Sequence, residues 1–148
     1  MGDPVVFTVM FVALYAAHAV ADHWVQTHHQ ACGKGAATWR GRLLCARHVA
    51  SLTFTQTVAV AAAVWVTGVS VSPAAAAAGL AVNAVSHYWA DRWSTLAWLA
   101  RILGKGEFHR LGDGGSAPTG TGAYALDQSW HVGWLFVAAL IGCIGGAA

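Results

Sequence analysis

The chain is organised around Ala17-His18-Ala19-Val20-Ala21-Asp22-His23-Trp24-Val25-Gln26, where a histidine and a carboxylate stand four residues apart near the end of an apolar segment. On a helix, side chains at positions i and i+4 share one face. Two later stretches repeat this spacing, and a lone histidine opens another apolar run. These residues are His87 with Asp91, Asp127 with His131, and His48. Four apolar segments therefore each bring a histidine, or a histidine and an aspartate, to one end.

The composition of the chain favours a membrane protein. Of its 148 residues, 57% are hydrophobic and only 9% are charged, whereas roughly 25% of the residues of a soluble domain are charged. So few charges cannot cover a surface that faces water. The net charge of +2 is too small to indicate a nucleic acid partner, and we expect none. The three cysteines give neither a disulfide framework nor the spacing of a zinc motif.

Apolar segments of about 20 residues suit the thickness of a bilayer, and the sequence holds four of them. The fold class that we predict is all-α, a polytopic bundle of four transmembrane helices in a single domain, residues 1–148. The predicted helices cover about residues 5–26, 48–69, 73–100 and 123–143, and the loops cover about 27–47 and 101–122. The alanines that begin the third helix permit close packing, within one bundle or between two copies. Asn83 precedes His87 and Asp91 on one face of that helix, and Gln56 is placed to hydrogen-bond a neighbouring helix.

The basic residues predict the orientation of the chain. Seven of the eight lysines and arginines lie in or at the edges of the two long loops, and Arg92 lies just inside the third segment. The positive-inside rule therefore places both loops in the cytoplasm and both termini outside a plasma (inner) membrane that the chain crosses several times. Since Met1-Gly2-Asp3-Pro4 carries no positive charge, we do not expect a cleaved signal peptide.

This topology brings seven ionisable side chains to the cytoplasmic end of the membrane. Each costs roughly 2.5–3.5 kcal/mol at the membrane midplane and less near an interface, so such groups persist where they pair, coordinate or serve a function. Imidazole and carboxylate together suit a divalent ion, and we predict zinc, manganese or iron. Seven candidates exceed one tetrahedral shell, so either two ions bind or some of the residues orient the ligands. The candidate ligands are His18, Asp22, His48, His87, Asp91, Asp127 and His131.

Two other interpretations of the same residues stay open. In one, a His–Asp network shares protons and ties four helices together without metal. In the other, the residues form the relay of a small ion or proton transporter. A transporter needs polar residues that continue to the outer face, and the alanine-rich half of the third segment offers few.

The ordered set of motifs resembles a family of small bacterial and phage membrane proteins called domain of unknown function 3307. That family is built around Ala-His-x-x-x-Asp-x-x-x-Gln, a lone histidine, a second His-x-x-x-Asp and a closing Asp-Gln-x-x-His. Two features depart from its pattern: His23 stands where an apolar or aromatic residue is expected, and residues 27–35 are rich in histidine. The resemblance implies a polytopic membrane protein, and a distant likeness to membrane-bound metal-dependent hydrolases is an analogy. The matching residues here are Ala17-His18, Asp22, Gln26, His48, His87, Asp91, Asp127-Gln128 and His131.

We therefore predict an intramembrane metal site that serves a hydrolase acting on a lipid or another membrane-associated phosphoester. In such an enzyme the metal acidifies a bound water and polarises a phosphoryl or acyl oxygen. His48 and Asp127, which are also candidate ligands, would act as the catalytic base or hold the ligands in place. The remaining five residues would bind the metal directly: His18, Asp22, His87, Asp91 and His131.

Overall fold

The computed structural model describes residues 2–113 and 120–145, and all regular secondary structure within these ranges is helical. This confirms the all-α class. The first helix continues into a π-helical turn, Ala21–Val25. The α-helices in chain order are α1 (Pro4–Val20), α2 (His28–Gly33), α3 (Trp39–Thr67), α4 (Pro73–Ala90), α5 (Ser94–Ile102), α6 (Gly106–His109) and α7 (Gly122–Gly142).

Two helical stretches are long and apolar enough to cross a membrane, as judged by length and composition. The first is Pro4–Val25, 22 residues long, which joins α1 to the π-helical turn. Its start is fixed by Asp3, whose carboxylate accepts the backbone N–H groups of Val5 and Val6. The second is α3, 29 residues long. Within the described ranges α4 and α7, the other two predicted spans, do not meet this criterion, because polar side chains such as Asn83 and Gln128 lower their apolar content.

The predicted loop 27–47 is largely helical. Thr27 and Gln30 form a reciprocal capping box at the start of α2, and Thr38 caps α3. As a result α3 begins at Trp39 rather than near His48, and His48 lies inside the helix. The pattern of apolar residues did not predict this extension, because it contains three arginines. A helix tolerates them since all three are exposed to solvent: Arg40, Arg42 and Arg47.

The third predicted segment, 73–100, is two helices rather than one. α4 ends at Ala90, and α5 begins at Ser94 after a short turn. Trp93 has a positive φ of 56° there, with ψ of −54°, which is uncommon for a residue other than glycine. A Cβ at Gly35 would lie 2.0 Å from the Trp93 ring, so the loop before α3 packs on this turn at a distance that only glycine allows. Arg92 fastens the contact by donating to the carbonyl oxygens of Lys34 and Ala36.

The four long helices pack in a closed ring, since α1 contacts α3 and α7 while α4 contacts α3 and α7. The tightest approach is between α4 and α7, where a Cβ at Gly79 would lie 2.5 Å from the Ala138 carbonyl oxygen. This agrees with the close packing that the alanine-rich start of α4 predicts. One end of the ring is filled by a purely apolar core. Its buried members are Val6, Met10, Ala13, Leu14, Val60, Leu135, Ala138, Ala139 and Cys143.

The second predicted loop, 101–122, contains the short helix α6. The glycines of residues 112–122 predict a flexible linker, and residues 114–119 of that stretch lie outside the described ranges. α7 then starts at Gly122, where the Thr121 side chain accepts the Tyr124 backbone N–H. This cap opens α7 one turn before Asp127, which carries the aspartate toward the end of the ring opposite the apolar core.

Candidate metal centre

All seven predicted ligands meet at the end of the ring opposite the apolar core. Each long helix contributes, and the π-helical turn supplies one carboxylate. The five histidine and aspartate side chains nearest the axis are between 0% and 4% exposed. The residues are His18 on α1, Asp22 on the π-helical turn, His48 on α3, His87 and Asp91 on and just after α4, and Asp127 and His131 on α7.

Two imidazoles and two carboxylates form the centre of the cluster. The Nε2 atoms of His48 and His87 lie 3.0 Å apart. Asp22 Oδ1 is 3.2 Å from His48 Nε2 and 3.6 Å from His87 Nε2. On the other side, Asp91 Oδ2 is 3.4 Å from His48 Nε2 and 3.3 Å from His87 Nε2. Both imidazoles therefore direct the same ring nitrogen at the space between two carboxylates.

The remaining ligands extend the cluster along α1 and α7. His131 Nε2 is 3.4 Å from Asp127 Oδ1 and 3.8 Å from Asp91 Oδ1. The ring of His131 also stacks on that of His87, with centroids 4.0 Å apart. His18 Nε2 lies 3.7 Å from Asp22 Oδ2. Each of the three His–Asp pairs at i, i+4 is thus a real contact on its helix.

Three overlapping groups have the donor spacing that a metal ion needs. In each group, one ligand atom per residue lies within 4.8 Å of the others. The groups are His18 with His87 and His131, Asp22 with His48 and His87, and Asp91 with Asp127 and His131. His87 and His131 each belong to two groups, whereas the second and third groups have no residue in common.

Several inward-facing atoms of the cluster lack a hydrogen bond among the described residues. They include His18 Nε2, His131 Nε2, Asp22 Oδ1 and Asp91 Oδ2, all buried. A buried polar atom left without a partner costs roughly 1–3 kcal/mol, and more if it is charged. A cation among them would satisfy nitrogen and carboxylate oxygen together, so the donor set fits a divalent metal.

Comparison with known families identifies the chain. A family described as "Protein of unknown function (DUF3307)" matches residues 10–145. The chain belongs to this family. No curated protein and no solved structure matched the sequence. All seven residues of the cluster lie within the part of the chain that matches DUF3307.

The departures from the DUF3307 motif pattern lie outside the cluster. His23 points outward, where its Nδ1 is 2.8 Å from the Ala19 carbonyl oxygen and its Nε2 is 3.2 Å from the Tyr124 hydroxyl. His28 and His29 lie on the exposed helix α2. The extra histidines of this DUF3307 protein therefore do not enlarge the set of donors.

Among the described residues, Lys34 is an ionisable group at the cluster that the sequence did not identify. Its Nζ lies 2.8 Å from Asp91 Oδ1, and the side chain is buried. In the sequence, this lysine contributes only to the predicted orientation of the loops relative to the membrane. No local signal could have paired it with Asp91, because the contact depends on the packing of Gly35 against Trp93.

A second polar pair lies deeper in the ring. Asn83 Nδ2 donates to Gln56 Oε1 over 3.0 Å, and both side chains are buried. This confirms that Gln56 hydrogen-bonds a neighbouring helix. Since Asn83 lies one turn before His87 on α4, the pair forms the floor of the cluster and separates it from the apolar core.

The cluster is open to the surface on the side of Asp91 and Asp127. A cavity of about 440 Å³ lies there, and both aspartates line it. Lys34 and His109 supply cationic or potentially cationic groups, while α5 contributes apolar side chains such as Leu96. A molecule in this cavity would reach the two carboxylates directly.

Proposed function

We propose that this DUF3307 protein binds one or two divalent metal ions in a His/Asp site within the membrane, near the cytoplasmic face. The observation that carries the proposal is the buried convergence of seven ligand-type side chains from four helices, with donors within 4.8 Å of one another in three groups. Zinc, manganese and iron suit this mixture of imidazole and carboxylate. Two of the groups, Asp22 with His48 and His87 and Asp91 with Asp127 and His131, have no residue in common, so one ion in each is favoured over a single ion.

The proposed setting is a polytopic protein with four spans, cytoplasmic loops and both termini outside the plasma membrane. The long apolar helices support it because they are mostly uncovered: 33% of the apolar window of Pro4–Val25 is buried, and 22% of that of α3. The core helix of a soluble protein would be mostly buried. α4 and α7 also expose large apolar side chains, among them Val85, Phe136 and Leu140. A bilayer is the environment that accepts such a surface.

The proposed activity is metal-dependent hydrolysis of a membrane-associated phosphoester or acyl compound. A divalent ion held here would supply Lewis-acid chemistry, acidifying water and polarising the substrate oxygen. Asp127 suits the role of proton acceptor, because its side chain is 26% exposed and lines the open cavity. His48, whose side chain is 0% exposed at the centre of the cluster, suits a ligand better than a base.

A structural network without metal is the alternative that the contacts also favour. The His–Asp distances of 3.2–3.8 Å would then be held by shared protons, and the site would stabilise the packing of four helices. A transporter receives less support. Beyond the Gln56–Asn83 pair, the described interior is apolar as far as Val6 and Cys143, and it offers no polar path onward among these residues.

Elemental analysis of the purified protein tests the metal site. The protein is prepared in mild detergent without a His-tag, together with His18→Ala, Asp91→Ala and the control His23→Ala. His23 lies near the same end of the ring but points outward. We expect near-integer metal in the wild type and in His23→Ala, and loss of metal in the other two variants. Absence of metal from the wild type after loading with zinc or manganese would favour the structural network.

A further inference from the structure

The cavity beside the cluster has an apolar groove as its neighbour. A second cavity of about 430 Å³ shares Leu96 with the first and runs between α5 and α7. Its lining is almost wholly apolar, with Lys105 and Ser129 as the polar exceptions. Trp130 and Trp134 then border both this groove and a third cavity on α4. A polar cavity and an apolar groove therefore lie next to each other, on either side of Leu96.

The polar end of this system suits an anionic group. Lys34 lines the first cavity, and His109 lies between it and a further opening that carries Arg101 and Arg110. Glu107 is the one acidic residue at that further opening. Arginine and lysine beside a divalent-metal site are the groups that hold phosphate oxygens in proteins. The acidic residues at the mouth, Asp91 and Asp127, are those assigned to the metal.

The helix that forms one wall of the groove has the character of an interfacial helix. α5 is short and amphipathic, and it follows the turn at Trp93. It buries Leu96 and Ala100 while leaving Trp98 and Ile102 more than half exposed. Such a helix lies at the boundary between headgroups and acyl chains. In the proposed membrane setting, the groove would open at the depth where a lipid presents its phosphate and the start of its chain.

We propose that the two neighbouring cavities bind a single phospholipid across Leu96, with its phosphate between Lys34 and the metal site and one acyl chain along the groove between α5 and α7. The placement of the phosphate rests on the proposed metal function, and the placement of the acyl chain rests on the apolar lining of the groove. It specifies the substrate class as a long-chain phosphate-bearing lipid rather than a soluble phosphoester.

Gly133 on α7 gives a clean way to fill the groove. It lines the groove, and a Cβ placed there meets no heavy atom within 4 Å among the described residues. Gly133→Leu therefore introduces a side chain into the groove with no clash at its Cβ, and it also removes the helix penalty of glycine. Ala125→Leu is the matched control, since Ala125 lies on an exposed part of the same helix outside the groove lining.

The test is native mass spectrometry of the whole protein in mild detergent with three probes: dioleoyl phosphatidic acid, its dihexanoyl analogue and dioleoylglycerol, which lacks phosphate. We expect the wild type and Ala125→Leu to bind the long-chain phosphate most tightly. Gly133→Leu should bind it roughly tenfold more weakly, the loss for about two methylene groups that no longer leave water. Its binding of the short-chain analogue should be unchanged.

Two results would overturn the lipid site: equal binding of dioleoylglycerol by the wild type, or undiminished binding of the long-chain phosphate by Gly133→Leu. Metal content is measured on the same samples and separates the two proposals. If the protein retains metal but does not prefer the long-chain phosphate, the lipid site is overturned and the metal site stands. Selective lipid binding by a protein that never takes up metal would support the groove and overturn the proposed metal function.

Discussion

The Lys34 ammonium lies 2.8 Å from Asp91 Oδ1, and it joins the loop before α3 to the carboxylate just after α4. Both side chains are buried, so each depends on the other to offset the loss of water. Removal of one partner of a buried pair leaves an uncompensated charge, which costs far more than the loss of a surface pair. Lys34 thereby acts as the resident counter-ion of a proposed metal ligand.

Lys34→Met should lower the free energy of unfolding by about 3 kcal/mol in the presence of a chelator. Saturating metal should reduce this loss, because a divalent ion at Asp91 replaces the missing positive charge. The measurement is thermal unfolding in detergent with chelator and with added zinc or manganese. Lys105→Met, which changes an exposed lysine, is the control. An equal loss of stability for Lys34→Met with and without metal would contradict the counter-ion role.

The shared ligands should matter more than the peripheral ones. His87 belongs to two of the three donor groups, whereas Asp127 belongs to one and is partly exposed. We expect His87→Ala to lose more metal than Asp127→Asn, because it removes a ligand from two of the three donor groups. Asp127→Asn should retain one ion or bind metal about 10–100-fold more weakly, the range for residues that orient ligands. Metal-to-protein ratios at a series of free metal concentrations measure this. Identical losses in the two variants would argue against two adjacent ions.

The convergence of the seven candidate residues could be predicted from the sequence because it depends on two simple rules. Spacing of i, i+4 places each His–Asp pair on one helical face, and consecutive antiparallel helices return the paired ends to the same level. His48 has no aspartate four residues away on its own helix, yet it lies at the same level as the three His–Asp pairs. The structure brings together every residue that these rules select.

The turn at Trp93, the π-helical turn and the position of Lys34 depend on tertiary contacts that no local sequence pattern indicates. The turn at Trp93 contains neither proline nor glycine, and it exists because Gly35 packs on the Trp93 ring and Arg92 donates to two loop carbonyls. The π-helical turn that carries Asp22 likewise has no residue that predicts it, although such turns are frequent at functional sites. Lys34 reaches the cluster only through these contacts.

Gly35 and Gly133 should respond to alanine in opposite ways. A Cβ at Gly35 would overlap the Trp93 ring, so Gly35→Ala should destabilise the protein by about 1–3 kcal/mol, as overpacking does. Gly133 lies in a helix with open space around it, so Gly133→Ala should stabilise by about 0.5–1 kcal/mol. Thermal unfolding of both variants in one detergent measures the difference. A neutral Gly35→Ala would contradict the docking of this loop on the turn.

Substitutions at the Gln56–Asn83 hydrogen bond should change the stability of the protein without changing its metal content. Asn83→Leu leaves the buried Gln56 amide without its 3.0 Å partner and should cost about 1–3 kcal/mol, the range for a buried polar group left unpaired. Adding Gln56→Leu removes both polar groups at once, and the double variant should recover most of that loss because no amide is left unpaired. A double-mutant cycle of unfolding free energies measures the coupling.

Metal content should stay at the wild-type ratio throughout, since the cluster keeps all seven candidate ligands. Loss of metal in the double variant would instead show that this floor holds His48 and His87 in position.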